Sequence, residues 1–139
     1  MSPRQNASAT TGGSDERAAR AMSGPLLRFE LAEEAAALRT ETSFLEGDRN
    51  ARTLTKAGAF RLVLVVFRAG ATFDENDQRG SVALQVLDGR VDVQVGEDRI
   101  DIGAAEIAVV SPNHPWKAVA MTDGLLLLHL TWPPEPGSR

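Results

Sequence analysis

From Phe60 to Trp132 the chain is cut into short apolar runs by glycine, aspartate and proline. The runs recur at intervals of about eight to twelve residues, and strands of that length joined by tight turns build a sandwich or a barrel. Residues 62–67 are nearly continuously apolar, as in a strand buried on both faces. A second apolar run, 82–87, leads into Asp88-Gly89, a strong hairpin signal because glycine accepts positive φ. Arg90, Asp92 and Gln94 then alternate with Val91, Val93 and Val95, the pattern of a strand with one wet face. After a turn at 96–98, Ile100 and Ile102 alternate with Arg99 and Asp101. Residues 107–110 predict a short buried strand, 111–115 a rigid proline loop, 118–121 another strand, and Asp123-Gly124 a turn into a last strand, 125–132. Pro133, Pro134 and Pro136 end the domain, since proline cannot donate to a sheet ladder. The reading is all-β, with about seven strands.

The preceding segment differs. Residues 1–24 are rich in Ser, Thr, Gly, Ala and Arg and hold only two large apolar residues, Met1 and Met22. Such a composition buries too little surface to offset its ordering entropy, so a disordered tail is expected. Residues 29–39 predict a short helix of strong helix formers. Leu31, Ala35 and Leu38 share its apolar face, and Glu33, Glu34 and Arg39 are expected in water. A loop and a short strand follow over 44–56. Its polar cluster, Arg49, Asn50 and Arg52, reads as a salt-bridged surface loop, or as a cover or anion site at a barrel mouth. The expected organisation is a tail over 1–24, one barrel domain over 25–134, and a disordered C-terminus over 135–139.

Composition narrows the function classes. A net charge of −4 argues against nucleic acid, which calls for a basic face. No run of about 18 apolar residues exists to span a membrane. The absence of cysteine excludes disulfides, thiolate metal sites and cysteine nucleophiles. No apolar stretch follows Arg4 to form a signal-peptide core, so a cytoplasmic location is the default expectation. A nucleophile elbow, a phosphate-binding loop and an H-E-x-x-H zinc motif are all missing.

Two stretches carry a family resemblance: Gly70 through Val86-Leu87-Asp88-Gly89, and Gly103 through the Pro112 to Pro115 loop to Trp116. On these turn positions, over roughly residues 26–133, the chain resembles the cupin superfamily. It is most similar to the small, single-domain, RmlC-like bacterial cupins with a short helix before the barrel. The resemblance implies a cupin-like double-stranded β-helix, a jelly-roll barrel, with a short N-terminal helix. It also implies homodimers; separately, Leu125, Leu127 and residues 62–67 carry more apolar surface than one thin barrel needs and read as an apolar dimer face.

The usual cupin metal site has two histidines one residue apart, a glutamate shortly after, and a histidine beyond the proline loop. The matching positions here are Asn76, Gln78, Val82 and Trp116. Carboxamides are poor ligands for the transition metals, which favour imidazole or thiolate, and valine and tryptophan offer no ligand atom. The usual site is therefore expected to be absent, with no cofactor implied. A relocated site of Glu75, Asp77 and His114 would need a register slip that turns every side chain of the strand over. Metal-free sugar epimerases of this wider fold use a His base with a Tyr acid, and this chain has no tyrosine.

Asn76, Gln78, Val82 and Trp116 remain as candidate pocket residues for a small-molecule ligand. The alternative is that Trp116 fills the space a metal would occupy. His114 reads as an exposed turn residue, His129 as a satisfied strand residue, and Lys117 as solvated. The expected function is metal-independent binding in the barrel mouth without conventional dioxygenase chemistry. A relocated metal enzyme and a dimeric interaction module are the rivals.

Overall fold

The computed structural model describes residues 24–75 and 79–131, with Glu75 described by its backbone alone. The expected tail, the C-terminus, and Asn76, Asp77 and Gln78 lie outside the described residues. Among the described residues, two helices, α1 (Leu31–Arg39) and α2 (Thr42–Leu45), precede nine strands. The strands are β1 (Arg49–Ala57), β2 (Phe60–Phe67), β3 (Thr72–Glu75), β4 (Val82–Asp88), β5 (Arg90–Val95), β6 (Asp98–Gly103), β7 (Ile107–Val110), β8 (Trp116–Ala120) and β9 (Gly124–Thr131). They form two antiparallel sheets, ordered β1-β2-β9-β4-β7 and β3-β8-β5-β6. The all-β jelly roll with a short N-terminal helix is thus the observed architecture.

Period-two alternation sorts the side chains. Val82, Leu84, Val86, Val91, Val93, Ala108, Val110, Trp116, Ala118 and Leu126 fill the space between the sheets. The longer sheet is buried on its outer face as well. Leu64, Val66, Leu125 and Leu127 pack there against Ala35 and Leu38 of α1, Phe44 of α2, and Leu54. The run at 62–67 is therefore apolar throughout for the reason expected, a core on each side. Much of the face expected to form a dimer is covered by the chain's own helix.

Several expectations change. Glu34 is buried, because α1 lies on the sheet and brings this carboxylate over β1, where Arg52 meets it at 2.8 Å. The other guanidinium arm bonds Glu41 at 2.8 Å, and Asn50 ties Glu41 and the Leu38 carbonyl at 2.9 and 3.0 Å. The polar cluster is a latch holding both helices to β1. It does not cover the mouth: Arg49 stands opposite Phe67, at the end of β2 away from Arg61 and Val82. Replacing Arg52 with alanine should cost about 2 kcal/mol, by removing the guanidinium partner of a buried carboxylate. A urea midpoint checks this, and the loss should be largely recovered in a Glu34→Gln, Arg52→Met pair.

The strand expected to be buried at 107–110 is an edge strand whose alternation is real. Ala108 and Val110 point inward, while Ile107 and Val109 are 52% and 69% exposed. On the expected wet face of β5, Asp92 is nearly buried. It accepts from Gln94 Nε2 at 3.1 Å and Arg99 Nε at 2.9 Å. These two donors hold its carboxyl below the usual carboxylate range.

Candidate functional site

One end of the barrel gathers the residues of interest. Val82 begins β4 opposite Val110, the last residue of β7, and opposite Leu130 of β9. Trp116 begins β8 opposite Glu75, the last residue of β3. Val95 ends β5 opposite Asp98, the first residue of β6. The loop 111–115 connects Val110 to Trp116 across this end, so all of these positions rim or floor one mouth.

Val82 is fully buried and Trp116 only 5% exposed, both within the interior cluster. The indole Nε1 is enclosed and has no hydrogen-bond partner among the described residues. A desolvated N–H without an acceptor is unfavourable by about 1–3 kcal/mol. Neither Val82 nor Trp116 supplies an in-plane lone pair for a metal. The interior of the mouth therefore does not fit the four-ligand site of the wider fold. Among the described residues, no group of three or more His, Asp or Glu lies together as a metal site would require.

For the relocated arrangement, Glu75 is placed opposite Trp116 and Asp77 lies outside the described residues. His114 lies in the exposed loop, its Nδ1 3.0 Å from the Pro112 carbonyl oxygen and 3.4 Å from that of Ser111. Asn113 sustains this loop at φ +68°, a left-handed conformation that asparagine tolerates better than most residues. Lys117 is exposed on the face opposite Trp116.

Beside Trp116 the two sheets part. Strands β6 and β7 are the free edges of different sheets and do not pair. Between them opens a cavity of about 280 Å³, floored by Val93, Val95, Ala108 and Val110. Ile100 stands at its side, half exposed, and Asp98, Ser111 and His114 stand at its rim. Apart from His114, none of these was singled out by sequence reasoning. Their proximity arises across a seam where the two edge strands do not pair, for which no local pattern exists.

His129 lies on the other face of the long sheet, away from the mouth. Its Nε2 is 3.0 Å from Gln85 Oε1, and because the amide oxygen can only accept, the ring nitrogen donates. Desolvation lowers its pKa from 6.5. The folded state thus binds fewer protons than the unfolded chain near neutrality. Its contribution to stability is full above pH 6.5 and is lost as pH falls through the lower folded value. Melting temperature should drop less between pH 7 and pH 5 in His129→Gln than in the parent. Equal drops would show that His129 is not a source of the acid sensitivity.

No protein-family model and no curated protein matches the chain. Solved structures do. A cupin superfamily protein from Desulfitobacterium hafniense aligns at TM-score 0.58 and 14% identity, over 61% of this chain and 78% of that one. An RmlC-like cupin from Shewanella frigidimarina aligns at TM-score 0.57 and 23% identity, over 65% and 81%. A conserved Streptococcus pyogenes protein of unknown function aligns at TM-score 0.64 and 13% identity, over 83% and 95%. The chain has the cupin fold. No helix among the described residues is long and apolar enough to cross a membrane.

Proposed function

We propose that this cupin-fold chain binds a small molecule in the barrel mouth without a metal and without dioxygenase chemistry. The observation that carries the reading is Trp116, which takes a position where a cupin would hold its last histidine and whose buried N–H lacks an acceptor among the described residues. Val82 at the glutamate position and the apolar cavity at the same end support it. Asn76 and Gln78, which lie outside the described residues, belong to the proposal as amide donors and acceptors.

The test is a thermal-shift screen of small molecules on protein freed of metal by chelation. Compounds are expected to raise the melting temperature in the continued presence of chelator. Ile100→Trp, which fills the cavity from its exposed side, should abolish the shift. Hits that require added metal, or that survive in Ile100→Trp, would contradict the proposal.

A self-associating module is the second reading. It is favoured by Leu62, His129, Ala83 and Val109, which lie in register across the outer face of the long sheet and end in the exposed Val109. A dimeric light-scattering mass that becomes monomeric in Val109→Asp would support it, and a monomeric parent at micromolar concentration would remove it.

A further inference from the structure

Resting on that reading of the mouth, we infer that the ligand is a small apolar molecule whose head donates hydrogen bonds, a hydroxyl or an amino group, and not a carboxylate. The body follows from the floor, where Val93, Val95, Ala108 and Val110 present only aliphatic surface. About 280 Å³ is close to the lower end of small-molecule sites, roughly 300–1,000 Å³, and suits a single ring.

The head follows from the rim. The two oxygens facing His114 Nδ1 are backbone carbonyls, which can only accept, so Nδ1 carries the proton. In the neutral ring Nε2 is then an acceptor. Asp98 adds a carboxylate, another acceptor, and stands opposite the inward-facing Val95. Arg99 also lines the cavity, but its guanidinium is engaged by Asp92, to which its Nε donates at 2.9 Å. Ser111 can donate or accept. A carboxylate head would meet the Asp98 charge and a nitrogen lone pair, whereas a hydroxyl or ammonium would find an acceptor at each.

Four probes with one ring and different heads separate the possibilities: benzyl alcohol, benzylamine, toluene and benzoate, titrated calorimetrically on the full chain. The alcohol and the amine should bind about tenfold more tightly than toluene or benzoate, the worth of one hydrogen bond. His114→Ala should bring benzyl alcohol down to the level of toluene. Asp98→Asn should weaken benzylamine more than the alcohol, and neither change should alter the melting temperature without probe. Equal binding of all four, or preference for benzoate, overturns the head-group inference while leaving the mouth as a binding site. Absence of all binding, with no difference between the parent and Ile100→Trp, overturns both.

Discussion

Gly124→Ala is expected to destabilise the fold by about 4 kcal/mol or more, a large share of the roughly 5–15 kcal/mol that holds an ordinary domain folded. A β-carbon on Gly124 would lie 2.1 Å from the Asp88 carbonyl oxygen and 2.7 Å from the Phe67 ring. The oxygen is backbone, and the ring is wedged in the interior cluster, so neither can retreat cheaply. The reason lies in how the two Asp-Gly turns meet. A β-carbon on Gly89, at φ +92°, would in turn lie 2.4 Å from the Asp123 carbonyl oxygen. The turns at 88–89 and 123–124 are thus packed on each other at the barrel end opposite the mouth. Gly58 is the control: it has φ +58° but open space around it. Its alanine variant should lose only about 1 kcal/mol from backbone strain. Urea midpoints decide the matter, and similar losses at Gly58 and Gly124 would contradict this packing.

Trp116→Ala should cost about 3–4 kcal/mol, the range for removing a large aromatic from a packed interior. Trp116→Phe should cost much less, about 1 kcal/mol or under, because no partner of Nε1 is lost among the described residues. The two variants differ in another respect. Under the proposed function, Trp116→Phe keeps the fold but weakens binding of a ligand whose head also offers an acceptor, such as benzyl alcohol, by about tenfold through loss of one donor. If instead the phenylalanine variant falls as far in stability as the alanine variant, with binding unchanged, the indole is a structural plug. Melting temperature and ligand titration on the same two proteins give both readouts.

The barrel was legible because its strands obey a period of two and its turns use glycine where the chain must bend sharply. Val91, Val93 and Val95 were placed on the inner side from alternation alone, and Trp116 inward with Lys117 outward. Strand β3 could be inferred only from the family motif: it has four residues and a single large apolar side chain, Phe73, too little for any periodicity to show. Glu34 was placed in water because nothing near it in sequence marks the partner, Arg52, which only the packing of helix on sheet brings close. Ile107 and Val109 were read as buried from hydrophobicity, but exposure at a sheet edge depends on strand order, which no local run encodes. For the site, the motif frame in the sequence assigns Asn76, Gln78, Val82 and Trp116 to the ligand positions by resemblance alone, whereas the cavity depends on two edge strands that never pair.

The central claim, that the mouth works without a metal, is tested most directly by elemental analysis of the purified chain. The account predicts far less than one equivalent of iron, manganese, nickel or zinc per chain, unchanged by replacing Asn76 and Gln78 with alanine. About one equivalent of any of these metals, lost in that double variant, would contradict it.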